Sequence, residues 1–454
     1  MLTSLHKMSV AGACIALAIS LVCPPTPSRA ANAELIASPE SGWPQFRGPK
    51  RDGNSAEKGL LKEWPADGPK QLWSVGEIGT GFSSPTIHGD RIYITGDLDG
   101  ELHIFALSLD GKKLWQAKNG PEWKHPYPGA RASVTFRDGR LYSHNAHGRL
   151  ACFDAASGKE LWAVDGRERF GGKEITWGLS EGPLVDDRAV YMTVGGSEAL
   201  AVALDRKSGE VIWKSAALID SQGQKDVESA SYVSPILVRF AGKQLLIGCS
   251  LKHLYCIDAA NGEIQWTRRL PTQYGVLAMM PTLVGDGIFM TAPHGTGGFL
   301  FRLNSEADGR IGFEEVWKTK LDTCQGCVVH VGDKLLGSFY PGRKGWGAVS
   351  IATGEVLYSA PDIIKGAGLY ADERLYALSE NGWMHLLEAG EKEFVIKGKF
   401  RLAEAARNDA WAHPVIHNGL MYLRYHGDLY CYDVREAQTP ALAGKRSLSL
   451  TSQP

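Results

Sequence analysis

The chain has no excess of charge of either sign, few cysteines and no long apolar run. Its 454 residues hold Lys+Arg 49 against Asp+Glu 50, a formal net charge of −1. A surface for nucleic acid needs a basic excess to neutralise phosphates, so no nucleic-acid partner is expected. HExxH and phosphate-binding-loop motifs are missing, so no ready-made zinc site or nucleotide site is present. What the chain has in quantity is glycine, 53 residues, and tryptophan, 13 residues. Many glycines mean many tight turns, and tryptophans on a regular spacing mean a repeat. Hydrophobic residues at 44% and charged residues at 22% exclude wholesale disorder.

The only marked apolar run is Val10–Val22, with Lys7 the only full charge before residue 29. It is too short for a membrane-spanning helix, which takes about 20 apolar residues, and fits the core of a secretory signal. Pro24, Pro25 and Pro27 end any helix, and Ala31-Asn32-Ala33 or Ser28-Arg29-Ala30 offers a small-residue cleavage site. Residues 1–33 therefore read as a signal peptide and 34–70 as an extended arm. Residues 437–454 read as a flexible tail. The expected location is the periplasm or the exterior of a bacterium. Membrane association is expected only through a lipid on Cys23, where Val22 occupies a place that calls for a small residue.

Between the arm and the tail, eight copies of one pattern follow each other. Their first strands and hairpins lie at 83–94, 133–143, 182–194, 234–248, 280–292, 327–339, 368–378 and 413–425. Each alternates with period two around a Gly, Asp or Asn turn, the mark of an antiparallel hairpin. A third strand, an Asp-x-x-Ser/Asn-Gly turn and a Trp-bearing strand complete the copy. Phe153-Asp154-Ala155-Ala156-Ser157-Gly158-Lys159-Glu160-Leu161-Trp162 shows it most fully. The structural tryptophans are Trp73, Trp115, Trp162, Trp213, Trp266 and Trp317, and Tyr358 takes the seventh place. A small sheet with two apolar faces must pack on neighbours, and a closed ring buries every face. The last copy lacks a fourth strand and Gln71–Val75 is a strand without a copy. The expected fold is thus all-β, an eight-bladed propeller of four-stranded antiparallel blades over 71–436, closed by that N-terminal strand.

The tandem Asp-x-x-Ser/Asn-Gly-x-x-x-Trp blades resemble the pyrroloquinoline-quinone-repeat β-propellers, over residues 71–433. That family holds quinoprotein alcohol and glucose-type dehydrogenases. It also holds cofactor-free scaffolds, such as the lipoprotein propeller of the outer-membrane β-barrel assembly machinery. The opening Gly42-Trp43-Pro44-Gln45-Phe46-Arg47-Gly48-Pro49, with Arg51-Asp52-Gly53, resembles a subgroup of exported bacterial propellers with no assigned reaction. The resemblance implies the fold; chemistry has to come from a site. This chain lacks the adjacent cysteine pair and the long inserted loops of the dehydrogenases, and no calcium-and-base constellation is legible.

In a propeller the loops leading into the inner strands and the loops joining second to third strands meet on one axial face. Here they carry Arg131, His144, His147, Trp177, Glu181, Glu228, His294, Arg343, Asp409, Trp411 and His413, together with Phe82, Tyr127, Tyr232, Tyr274 and Gln325. Aromatic rings with a few cations suit a flat anionic or sugar-like ligand, or a peptide edge. No metal site is expected: His144-Asn145-Ala146-His147 pairs two imidazoles without carboxylate or thiol support. Cys152, Cys256 and Cys431 share one small buried slot of the repeat. Cys324-Gln325-Gly326-Cys327 is a disulfide candidate in an oxidising compartment, and the following Val328 excludes haem attachment. Cys249 and Cys256 flank a turn and form a second candidate pair.

The expected function is an exported propeller scaffold that binds a protein or polymer partner through its axial face, with no cofactor and no catalysis. The alternative is an alcohol or sugar dehydrogenase using pyrroloquinoline quinone and Ca²⁺, with Glu181, Glu228 or Asp409 as the candidate base.

Overall fold

The computed structural model describes residues 32–221, 226–270, 272–340, 345–403 and 407–436. Cys23, nearly all of the segment read as an export signal, Arg343 and residues 437–454 lie outside the described residues. Each repeat copy folds as an antiparallel sheet, and eight such sheets are formed. Blade 1 consists of Thr86–His88, Arg91–Leu98, Glu101–Ser108 and Lys113–Pro121, running from the axis outward. Blades 2 to 7 occupy 135–165, 184–214, 236–269, 282–319, 328–360 and 366–401 in turn. Blade 8 takes Val415–His417, Leu420–Tyr425 and Asp428–Asp433 from the end of the chain. Its fourth strand is Lys70–Val75, antiparallel to Asp428–Asp433 with Trp73 opposite Cys431. The N-terminal strand thus closes the ring.

The middle strands are buried on both faces, because each face meets a neighbouring blade. Arg91–Leu98 and Glu101–Ser108 show no exposed position between their ends. The outer strands alternate instead, as in Lys113–Pro121, where one side meets solvent. Each buried aliphatic or aromatic side chain contributes roughly 1.5–3 kcal/mol of apolar transfer, so the core is spread around the ring.

The repeat motif is a latch between blades. The Trp73 indole covers Gly111 of blade 1, Trp115 covers Gly158, Trp162 covers Gly209, Trp213 covers Gly262 and Trp317 covers Gly354. Gly262 has φ +82°, and a Cβ there would stand 2.6 Å from the Trp213 ring. Only glycine tolerates both the left-handed backbone and the ring above it. Most of these indoles also donate Nε1–H to a carbonyl of the blade they cover: Trp73 to Leu109, Trp162 to Arg206, Trp213 to Ala259 and Trp317 to Ile351. Tyr358 reproduces the bond with its hydroxyl, 2.8 Å from the Gly390 carbonyl of blade 7. Trp266 packs on Phe313 instead, with ring centroids 4.6 Å apart. Trp213 and Trp266 are buried. Trp162 is only half-buried, because its outer strand leaves one ring edge at the rim.

The arm crosses the axis. Ile36 N–H donates to Leu237 of blade 4, Trp43 exchanges two backbone bonds with Ile87 of blade 1, and Pro44 accepts from Phe136 of blade 2. Arg47 Nη2 reaches the Val328 carbonyl of blade 6 at 2.7 Å. Arg51 reaches the Gly182 and Pro183 carbonyls leading into blade 3 at 2.8 and 3.1 Å. Glu34–Leu35 then adds an edge to the inner strand of blade 4, and Asn54–Ser55 runs parallel to that of blade 7. The segment from Gly42 to Gly53 is therefore a plug, with Arg47 and Arg51 buried in it. Among the described residues no helix is long and apolar enough to cross a membrane.

Candidate functional site

The axial loops enclose a cavity of about 390 Å³. Incoming loops supply most of its wall: Phe82 before blade 1, Tyr127 and Arg131 before blade 2, Trp177 and Ser180 before blade 3, and Tyr232 and Ser234 before blade 4. Tyr274, Val276 and Ala278 precede blade 5, Cys324 and Gln325 precede blade 6, and Trp411 and His413 precede blade 8. His294 and Tyr340 come from hairpin loops, and Phe46 comes from the plug. The loops face the axis because each must turn from an outer strand back to the innermost strand of the next blade.

The rings support one another around the wall. Phe82 and Tyr127 lie 5.0 and 5.1 Å from Trp411, and Trp177 lies 5.8 Å from Tyr232. His294 sits between Tyr274 and Tyr340, at 4.7 and 5.0 Å. Phe46 meets His413 edge-on at 4.8 Å. Arg131 ties the loop before blade 2 to the loop before blade 3: its guanidinium donates to the carbonyls of Gly129 and Tyr127 in its own loop and of Trp177 in the next, and it stacks over Trp123 at 5.3 Å. Burial lowers its pKa to about 10, which leaves it charged at neutral pH, facing Asp97.

His413 is neutral, its pKa pushed down to about 3 by burial and by the Arg47 charge. Burial lowers His294 as well. The Nδ1 atoms of both imidazoles are buried and have no hydrogen-bond partner. Ser234 accepts from the Gly182 N–H at 2.8 Å and keeps its own hydroxyl proton.

Of the residues singled out in the sequence, the structure brings Arg131, Trp177, His294, Trp411 and His413 together at the cavity, along with Phe82, Tyr127, Tyr232, Tyr274 and Gln325. It places His144, His147, Glu181, Glu228 and Asp409 elsewhere. His144 is buried behind the wall, with its pKa lowered to about 4 by burial. His147 packs on Trp123 and meets the Glu122 carbonyl at 3.0 Å. Glu181 is enclosed beside the plug, accepting from the Thr193 N–H at 3.2 Å, and burial raises its pKa to about 8. Glu228 accepts from Ser250 Oγ at 2.7 Å and faces His253 Nδ1 at 3.2 Å. Burial pushes the Glu228 carboxyl up, but hydrogen bonds from His253, Ser250 and Lys252 bring it below its ordinary value. Asp409 is held by His426 at 3.0 Å and by Tyr425 at 3.2 Å. Arg343 lies outside the described residues.

The expected Cys324–Cys327 bridge is not formed. Cys324 lines the cavity, whereas the Cys327 thiol turns to the next blade and donates to the Gly368 carbonyl at 2.9 Å. The Cys249–Cys256 pair fails for a reason of register: Cys249 stands opposite Leu254, and Cys256 opposite Ile247. Phe46 and Tyr340 were missed as wall residues. Phe46 reaches the axis only through the long-range path of the arm, and Tyr340 sits in the hairpin loop where Arg343 carries the stronger side-chain signal.

The family described as outer membrane protein assembly factor BamB matches residues 99–356, more than half of the chain. The chain belongs to that family. The outer membrane protein assembly factor BamB of Burkholderia pseudomallei is 25% identical over 230 residues, covering 50% of this chain and 55% of that protein. The 1-butanol dehydrogenase (quinone) of Thauera butanivorans is 26% identical over 162 residues, covering 33% of this chain and 25% of that protein. The chain thus spans between a quarter and about half the length of these curated relatives. The crystal structure of quinohemoprotein alcohol dehydrogenase from Comamonas testosteroni superposes with a TM-score of 0.61 at 13% identity, over 88% of this chain and 82% of that one. At that identity the likeness establishes the propeller fold alone.

The residues of this BamB-family propeller do not fit a calcium–quinone pair. Ca²⁺ takes six to eight oxygen ligands, typically with carboxylates among them. The cavity wall contains no Asp or Glu. Among the described residues no cluster of three or more His, Cys, Asp or Glu is placed to hold a metal. Glu181, Glu228 and Asp409 are each engaged away from the wall.

Proposed function

We propose that the chain is an exported, non-catalytic propeller that binds a protein or polymer partner through its axial loop face. The observation that carries this reading is the cavity itself. It is deep, walled by aromatic rings, backed by Phe46 of the chain's own arm and free of carboxylates. Such a wall offers area, stacking and orientation, the means of recognition. It offers no carboxylate for proton transfer, and burial lowers the pKa of both of its imidazoles. The export reading rests on the Val10–Val22 run, and the family description agrees with a binding role at the cell envelope.

A quinoprotein oxidoreductase is the second reading. It is supported by the similarity to the Thauera butanivorans dehydrogenase and opposed by the composition of the wall. Immobilised wild-type chain exposed to a solubilised envelope fraction should retain a component that the Trp177→Ala/Trp411→Ala protein releases, with thermal melting showing that the variant is folded. Equal retention by both proteins removes the reading.

A further inference from the structure

The cavity joins two features that do not go together in a site for an apolar group. Its sides are flat rings, Trp177 and Trp411 among them. Its wall also carries polar groups: His294 and His413, whose Nδ1 atoms have no partner, the Ser234 hydroxyl and the Gln325 amide. His413 is 6% exposed and Ser234 2% exposed, so these are built-in groups of the interior and not a solvated rim. An aromatic or proline side chain filling the well would leave them unsatisfied, which weighs against such an occupant. A cationic ligand finds no counter-charge, since the wall has no carboxylate, and for an anion the Arg131 guanidinium is already engaged by three backbone carbonyls and faces Asp97.

A pyranose ring meets both requirements. Its axial C–H faces are apolar and stack on indole and phenol rings, and its rim of hydroxyls both donates and accepts. A neutral imidazole nitrogen accepts from a sugar hydroxyl, and Ser234 and Gln325 supply donors. The cavity volume of about 390 Å³ lies within the range of small-ligand sites, roughly 300–1,000 Å³. The well is backed by Phe46, so it takes a terminal or pendant unit and not a chain running through the axis.

We propose that the axial well binds one uncharged pyranose unit of a glycan, stacked against Trp177 and Trp411, with its hydroxyls on His413, His294, Ser234 and Gln325. This rests on the binding reading above and names the chemistry of the partner.

Saturation-transfer NMR and calorimetry with methyl β-D-glucopyranoside, methyl β-D-galactopyranoside, methyl α-D-mannopyranoside, methyl β-D-glucuronoside and N-acetyl-L-tyrosinamide test it. The expected result is transfer to the ring C–H protons of at least one uncharged pyranoside, with affinity about tenfold weaker in Trp177→Ala. Tyr274, 58% exposed at the mouth, gives a second variant whose removal leaves the core intact, and Tyr274→Ala should weaken the same ligand. Transfer to the tyrosinamide or the glucuronoside alone, or to none of the probes, overturns the inference. Retention of an envelope protein without any sugar binding would overturn it while leaving the scaffold reading in place. Sugar binding accompanied by dye-linked oxidation of that sugar would keep the inference and remove the scaffold reading.

Discussion

Trp213 shows what a single repeat residue does. It is 8% exposed, donates to Ala259 at 2.9 Å and covers Gly262 of the next blade. Trp213→Ala should lower stability by about 3–5 kcal/mol, the range for large aromatic truncations in cores, read by chemical denaturation. A loss below about 1 kcal/mol would show that the latch is not part of the core. Glu181 carries the pH prediction. Burial raises its pKa to about 8, against about 4.3 in an unfolded chain. Below the unfolded value both states hold the proton and the carboxyl exerts no penalty. Above it the unfolded chain ionises first, so stability is lost from about pH 4 up to about pH 8. Glu181→Gln should therefore match the wild type at pH 4 and exceed it at pH 8, by a few kcal/mol at most, in denaturation midpoints. A variant weaker than wild type at pH 8 would mean that Arg51 stabilises the ionised carboxylate.

Two elements complete the ring from the N-terminal side, and they differ in how far the sequence reveals them. Lys70–Val75 was legible, because a strand without a blade at one end answered a blade without a strand at the other. The turn glycines and tryptophans were legible too, since each blade needs a ring over a left-handed glycine and repeats that need at a fixed spacing. The plug was not. Residues 34–69 have no periodicity, and their contacts lie far along the chain, as in Arg47 to Val328. The wall was legible as composition, through Trp177, Trp411 and His413, because loop position follows from the repeat. Side-chain direction did not follow: Glu181, Glu228 and His144 sit on the same kinds of loop and turn into the protein, where Thr193, Ser250 and burial hold them. Deleting residues 34–76 removes both elements at once. It should leave the inner strands of blades 4 and 7 and the edge of blade 8 unpaired, and the protein should melt far below wild type or fail to fold. A truncated protein melting with the full chain would refute closure by this segment.

At the scale of the whole molecule, the ring is a frame and the axial well is an aromatic-lined concavity of about 390 Å³ set into it. Membership of the BamB family and likeness to quinoprotein dehydrogenases leave both binding and oxidation open, so the wall has to separate them. Its lack of carboxylates favours binding without turnover. The most direct measurement is equilibrium dialysis of the purified protein against pyrroloquinoline quinone and Ca²⁺, with retained quinone read by absorbance and activity by dye reduction with alcohols and sugars. The account predicts no stoichiometric retention and no calcium-dependent dye reduction. One equivalent of quinone retained, with Ca²⁺-dependent oxidation abolished in Glu181→Ala or Asp409→Ala, would contradict it.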